Sequence, residues 1–249
     1  MRGWVIPGVM TCCARMVFAQ AGPPMITDDP GTPGNGKWEI NVAVAFEHRS
    51  GETALDVPTI DLNYGVGEHI QLNLQGGPAA LTRSGHGPIA GLGGTEAAVK
   101  WRFLDEDSAG LDVSMYPRIL FNITESSVRR GLAEPGTRFQ IPFQAAKSFG
   151  RFAVDAEFGP LVTTVGRSEW LYGLVGALKF GEKTMVMAEL HGTSRTDFSR
   201  DTLTVNIGLH HEITEHIILI TSLGHELRSP ENSLALVGYF GVQLALGGH

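Results

Sequence analysis

From residue 36 the chain reads GKWEINVAVAFEH, and its side chains alternate without a break. Trp38, Ile40, Val42, Val44 and Phe46 stand against Glu39, Asn41, Ala43, Ala45 and Glu47. A period of two over some ten residues predicts a β-strand, because a helix would scatter those charges into its apolar stripe. The pattern returns at Ile60, Leu62 and Tyr64 against Asp61 and Asn63, and at Ile70, Leu72 and Leu74 against Gln71, Asn73 and Gln75. It continues through residues 95–103, 111–115, 139–145, 152–158, 170–180, 184–192, 203–211, 217–226 and 234–246. About twelve strands result, an even number as bacterial barrels require.

The connections alternate as well. Short links are expected at residues 65–68, 105–110, 148–151, 181–183 and 213–216, and longer ones at 48–54, 76–94, 122–137, 159–168, 193–202 and 227–233. Short periplasmic turns alternating with longer outer loops are the connectivity of outer-membrane barrels, and they put both chain ends in the periplasm. Aromatics sort by strand end under that topology. Trp38, Tyr64, Trp101, Phe103, Phe149, Phe152 and Phe180 fall at periplasmic ends, and Phe46, Phe121, Phe139, Phe158 and Trp170 at outer ends, two interfacial girdles. The fold class predicted is all-β, an antiparallel transmembrane β-barrel of about twelve strands. A soluble sandwich or lipocalin-like barrel also alternates. Polar faces rich in Gln, Asn and paired charges favour the membrane form.

Residues 1–21 read as a secretory signal peptide: Arg2, an apolar stretch from Trp4 to Ala14, then small residues around Ala19 and Ala21, interrupted by Arg15. Residues 22–35 form a periplasmic N-terminal segment, to be found in or under the lumen or as a tail, and 36–249 the barrel. No apolar run reaches the roughly 18 residues of a membrane-spanning helix. Gly is frequent, 32 of 249 residues, without a repeat, which suits many tight turns.

Charge and cysteine content remove whole classes of function. Losing Arg2 and Arg15 with the leader leaves 17 basic residues against 26 acidic, a net charge of −9, so no electrostatic footprint for nucleic acid exists. The only cysteines, Cys12 and Cys13, fall in the leader, which leaves no thiol for a disulfide, zinc site or nucleophile. An acylated Cys12 is the competing reading, but Val9-Met10-Thr11 is a poor lipobox.

Candidate chemistry thins out on inspection. The segment 105–110 has Ala109 where a calcium loop needs a ligand, so it reads as a hairpin turn. His210 and Glu212 share a strand face while His211 points away, too few ligands for a metal. Ser222 and His225 face opposite sides, no G-x-S-x-G elbow exists, and Gly91-Leu92-Gly93-Gly94 precedes no helix. No catalytic residue, metal or cofactor is expected. What remains is the inward face: Glu39, Asn41, Glu47, Asp61, Asn63, Gln71, Asn73, Gln75, Glu96, Lys100, Arg102, Asp112, Arg118, Arg138, Gln140, Gln144, Asp155, Glu157, Lys179, Glu189, His191, Asn206 and His210. These are the expected lumen-lining residues, a mixed-charge, amide-rich wall that water or cross-lumen pairing satisfies. Lys100, Arg102, Arg118 and Arg138 would form a basic wall flanked by acidic ones.

Three stretches resemble a known family. They are Pro24-Met25-Ile26-Thr27-Asp28-Asp29-Pro30-Gly31-Thr32 followed by Gly36-Lys37-Trp38-Glu39-Ile40-Asn41, the strand-turn Asp61-Leu62-Asn63-Tyr64-Gly65-Val66, and the ending Gly238-Tyr239-Phe240-Gly241-Val242-Gln243. Together they resemble the outer-membrane β-barrel family named for the meta-pathway of phenol degradation, over essentially the whole chain after the leader. The resemblance implies a barrel that passes small, often aromatic or hydrophobic, molecules inward, and it supplies no catalytic residues. The expected function is an outer-membrane channel or transporter for passive uptake of small organic solutes, with outer-membrane lipids and those solutes as partners. A structural or surface-binding barrel with a closed lumen, or a lipid-modifying enzyme, is the alternative.

Overall fold

The computed structural model describes residues 22–229 and 235–247. The expected signal peptide, residues 1–21, lies outside the described residues, as do residues 230–233 of the connection expected at 227–233.

Hydrogen-bonded segments run antiparallel in chain order and close on themselves. They are β1 (Trp38–Arg49), β2 (Glu52–Val66), β3 (Ile70–Gly76), β4 (Pro78–Arg83), β5 (Ile89–Leu92), β6 (Thr95–Leu104), β7 (Asp112–Met115), β8 (Arg118–Phe121), β9 (Arg138–Gln140), β10 (Phe143–Phe149), β11 (Phe152–Thr163), β12 (Glu169–Phe180), β13 (Thr184–Arg195), β14 (Asp201–Thr214), β15 (Ile217–Arg228) and β16 (Leu236–Leu246). Four pairs, β3 with β4, β5 with β6, β7 with β8 and β9 with β10, each make one interrupted stave, so the wall is a twelve-stranded barrel. Closure comes from β16 on β1, with Trp38 opposite Leu246 and His48 opposite Leu236. Closing the ladder leaves no sheet edge, the condition for a sheet to cross lipid.

The wall is inside-out relative to a soluble protein. Val44, Leu72, Leu74, Val99, Phe143, Leu174, Ile207, Leu223 and Phe240 are exposed on the outer face, while Asn41, Asp61, Lys100, Gln144, Asp155, Glu157, Glu189 and Asn206 are buried within. Only a hydrocarbon surround rewards that polarity, so the barrel belongs in an outer membrane. Trp38 packs on Tyr64 with ring centroids 4.7 Å apart, and Trp101 lies 5.4 Å from Phe103, both at the short-turn end. At the other end Phe158 stacks on Trp170 at 5.3 Å.

Three stretches differ from the sequence expectation. Residues 48–54, expected as a long outer loop, are strand around a two-residue turn between Arg49 and Glu52, because Thr53 and Leu55 continue the period-two pairing with His48 and Phe46. Residues 76–94 likewise carry the hairpin β4–β5. The stretch 139–145, expected as one strand, breaks at Ile141-Pro142. Proline has no N–H to give the ladder, so Pro117, Pro142 and Pro160 contribute only their carbonyls, accepting from Val99, Tyr116 and Ile141 at 3.1, 2.9 and 3.1 Å. At Gly77 a Cβ would meet the Pro58 carbonyl oxygen at 2.1 Å, so the interruption of the third stave requires glycine. Among the described residues two short helices lie in connections: α1 (Glu106–Ala109) in a short-end turn and α2 (Glu125–Arg129) in an outer loop.

Candidate functional site

The sequence leaves residues 22–35 either folded in or under the lumen or as a tail; in the structure they pack at the short-turn rim and into the lumen. Residues 31–35 follow the short-turn rim, where the Thr32 hydroxyl donates to the Glu68 carbonyl at 2.7 Å. Gly34 passes so close to Gly65 that a Cβ there would meet the Gly34 oxygen at 1.9 Å. Residues 22–30 then fold into the lumen as a compact plug, its turn closed by the Met25 N–H on the Gly22 carbonyl at 2.7 Å and the Gly22 N–H on the Thr27 carbonyl at 2.9 Å.

Opposite faces of the barrel clasp this plug. Glu189 on β13 accepts the backbone N–H groups of Ile26 at 3.2 Å and Thr27 at 2.5 Å, and Glu157 on β11 accepts that of Asp28 at 3.2 Å. Carboxylates suit these places because buried N–H groups need strong acceptors. The plug answers with a carboxylate of its own. Lys100 Nζ reaches Asp28 Oδ1 at 2.8 Å and the Asp29 carbonyl at 2.6 Å, and Arg118 lies 3.4 Å from Asp28 Oδ2 and 2.9 Å from Glu157 Oε1. Both cations rest on the Tyr116 ring, at 4.7 and 4.2 Å from its centroid. His210 Nε2 is 3.0 Å from the Pro23 carbonyl, and Ser222 Oγ donates to that of Pro24 at 2.8 Å. Two wall glycines make room: a Cβ on Gly173 would meet Thr27 Oγ1 at 2.0 Å, and one on Gly208 would meet Met25 Cε at 2.1 Å. Below the clasp Met25 joins Ala153, Val175, Ala177, Met185 and Met187 in a small buried apolar cluster.

The facing wall, built from β1, β2 and β3, carries an amide ladder centred on Asp61. Its carboxylate accepts from Asn41 Nδ2 at 2.9 Å, Asn63 Nδ2 at 3.1 Å and Asn73 Nδ2 at 2.5 Å, and Gln71 Nε2 donates to Asn63 Oδ1 at 2.6 Å. Strand register makes this possible, since Asn41 stands opposite Asp61 and Asn63 opposite Asn73. Between ladder and plug runs a cavity of about 890 Å³, lined by Glu39, Asp56, Asp61, Asn73, Glu96, Asn206 and the plug residues Asp28 and Asp29. Its lining reaches Lys37, His216 and Gly247 at the short-turn rim. A second cavity of about 420 Å³ occupies the outer half beneath Leu132 and Ala133, and the two share Glu47, Ala54, Asp56, Thr59, Gln75 and Glu96 as lining.

The remaining residues of the inward face are placed as follows. Arg102 turns to the short-turn rim, where its Nε meets Asp105 at 2.9 Å and a terminal nitrogen donates to the Glu68 carbonyl at 3.0 Å. Asp112 accepts the Glu106 N–H at 2.9 Å in the α1 turn and lines neither cavity. Arg138 lines the outer cavity. Gln140, Lys179 and His191 are half-buried and outside both cavities. Gln144 accepts from Ser114 at 2.7 Å, and Asp155 is fully buried with neither carboxylate oxygen hydrogen-bonded. Of the basic wall expected from Lys100, Arg102, Arg118 and Arg138, the plug therefore neutralises Lys100 and Arg118, while Arg102 is paired at the rim and Arg138 lines the outer cavity. Sequence reasoning singled out neither Tyr116 nor Asp56, and the plug contacts of Asp28 span 72 and 90 residues, beyond any local pattern.

No family model matches the sequence, and no curated protein does. Solved structures do. The COG4313 outer membrane channel from Pseudomonas putida F1 superposes with a TM-score of 0.70 at 14% identity, covering 88% of this chain and 98% of that one. The NanC porin gives 0.63 at 9% identity over 83% and 100%, and the KdgM porin 0.56 at 10% over 83% and 99%. At such identities the likeness concerns the fold, an outer-membrane β-barrel.

Proposed function

We propose that the protein is an outer-membrane channel through which small organic solutes pass passively beside a folded N-terminal plug. The observation that carries this reading is the pair of adjoining cavities. One has lining at the short-turn rim, the other lies in the outer half, and they meet along a common wall at Asp56, Thr59 and Glu96. A cavity of about 890 Å³ falls in the roughly 300 to 1,000 Å³ range of small-molecule sites, so a one- or two-ring molecule fits and a large oligosaccharide does not. The wall is polar and amide-rich, as passage by exchange of weak contacts needs. Solved barrels named as channels and porins share the fold, which supports the reading. The resemblance to the family of the meta-pathway of phenol degradation adds aromatic and hydrophobic molecules to the expected cargo. In this account the partners are outer-membrane lipids and small organic solutes, and the barrel performs no bond-making chemistry.

A closed structural barrel is favoured by one observation, the buried ion-pair lock on Asp28. Swelling of liposomes containing the refolded protein separates the two. The channel admits solutes of about one aromatic ring and excludes trisaccharides, whereas a closed barrel swells no faster than protein-free liposomes.

A further inference from the structure

We propose that the exported protein begins at Gly22, and that the α-ammonium of this residue sits inside the lumen as a third cation of the plug's lock, paired with Asp28 and Asp29. The inference does not depend on whether solutes pass the barrel.

The plug itself fixes where Gly22 lies. The Gly22 N–H donates to the Thr27 carbonyl at 2.9 Å, and the Gly22 carbonyl accepts the Met25 N–H at 2.7 Å. The residue is inside the barrel, on the lining of the larger cavity. A Cβ built on Gly22 would stand 3.5 Å from Asp28 Oδ1 and 3.5 Å from Asp29 Oδ2, so two carboxylates flank this position. Asp29 is 4% exposed. An amide nitrogen offers such neighbours one N–H, and here that one is spent on Thr27.

Charge points the same way. The carboxylates of Asp28, Glu157 and Glu189 meet in the clasp with two cations, Lys100 and Arg118, and Asp29 brings a fourth negative charge. Buried charges are tolerated when they are paired and hydrogen-bonded, so a further cation beside Asp28 and Asp29 is favoured.

The sequence supplies that cation. Ala19-Gln20-Ala21 has the small-x-small form that signal peptidases cleave, and it ends immediately before Gly22. Hydrolysis adds water across the Ala21–Gly22 amide: the hydroxyl goes to the Ala21 carbonyl carbon, the hydrogen to the Gly22 nitrogen, and the C–N bond breaks. The new acid gives up a proton and the new amine takes one at neutral pH. Of the three N–H groups on the ammonium, one keeps the Thr27 carbonyl and two turn to the carboxylates as charge-assisted bonds. Cleavage then completes the lock. Before it, position 22 carries a neutral amide and a leader with Arg2, Trp4, Arg15 and Phe18; after it, a compact cation. Chain ends are ordered only where they are tied down, and this one is tied by its charge.

Mass spectrometry of the protein extracted from bacterial outer membranes should give the mass of residues 22–249, and any other first residue refutes the inference. The pairing is tested on refolded barrels whose chain starts at Gly22, with the α-amine free or acetylated, each with and without Asp29→Asn. Thermolysin cutting before Met25 and Ile26 reads the displaced plug, because its rate follows the population that is open. Acetylation should speed that cutting on the order of tenfold in the native sequence, the worth of a hydrogen bond to a charged group. With Asp29→Asn, where one of the two partners is gone, it should do so by about threefold or less. Every chain is checked for the heat-modifiable gel shift of a closed barrel. Acetylation that leaves the rate unchanged, or speeds it equally in both backgrounds, refutes the pairing, since added bulk acts without regard to the charge at position 29.

Discussion

Replacing Asp28 with alanine should unseat the plug while leaving the barrel intact. The Asp28 carboxylate meets Lys100 at 2.8 Å and Arg118 at 3.4 Å, and the two cationic side chains are only 3% and 12% exposed. Removing one partner of a buried ion pair costs about 3 to 5 kcal/mol, because the other charge stays buried and uncompensated. Arg118 keeps Glu157 at 2.9 Å and Lys100 keeps the Asp29 carbonyl at 2.6 Å, so the lower end, about 3 kcal/mol, applies. That shifts the balance between seated and displaced plug on the order of a hundredfold. The twelve-stranded ladder does not depend on these bonds, so refolding yield and the heat-modifiable gel shift should match wild type. Single-channel recording reads the change: Asp28→Ala should spend much of its time in the larger conductance that defines a variant lacking residues 22–30. Conductance and noise indistinguishable from wild type in a properly folded Asp28→Ala barrel would refute the view that these ion pairs hold the plug.

Other consequences follow from the same geometry. Any Cβ at position 173 would come within 2.0 Å of Thr27 Oγ1, so Gly173→Leu should also displace the plug, read as raised conductance and as proteolysis within residues 22–35. Ile207, 62% exposed at the middle of β14, faces hydrocarbon; Ile207→Arg should cost about 2 to 4 kcal/mol in reversible unfolding from lipid vesicles, and Phe198→Arg in an outer loop close to nothing. Equal costs would contradict the facing. Arg49 on β1 binds both oxygens of Glu226 on β15, at 2.6 and 2.8 Å, across the intervening β16. Arg49→Ala should lower stability by about 1.5 to 3 kcal/mol, measured by urea titration in lipid, and an unchanged midpoint would show the clamp to be idle.

The strands are legible in the sequence because lipid imposes a strict rule. Each wall residue faces hydrocarbon or lumen, so Trp38 through Glu47 alternate in sequence as they do in space. Aromatic placement is legible for the same reason. Proline is the weak signal: Pro142 lies in a stretch whose alternation argues for one strand, and only the missing N–H reveals the break. The outer hairpins read as loops because Gly, Pro and charged residues there mimic loop composition, whereas pairing of Ala79 through Leu81 with Ile89 through Gly91 keeps them extended.

Only one half of the site is legible. Alternation puts Lys100, Arg118, Glu157 and Glu189 on inward faces, but not what they hold. Their partner is a segment without periodicity, bound largely through its backbone: Glu189 takes two N–H groups, while His210 and Ser222 approach carbonyls. Backbone recognition leaves no signature in side-chain type. Only Asp28 and Asp29, acidic residues among prolines and glycines, mark the segment as more than a tail.

If solutes cross beside the plug, their path follows the wall where the two cavities meet. Cys12 and Cys13, in the expected signal peptide, are the only cysteines of the chain, so a single new thiol reports on one place. The direct measurement is the current through Asp56→Cys before and after a positively charged methanethiosulfonate reagent. Modification should bring a stepwise and lasting fall in conductance, with no effect on wild type and none on Phe198→Cys in its outer loop. Complete labelling of the Asp56→Cys thiol with unchanged current would mean that the passage runs elsewhere.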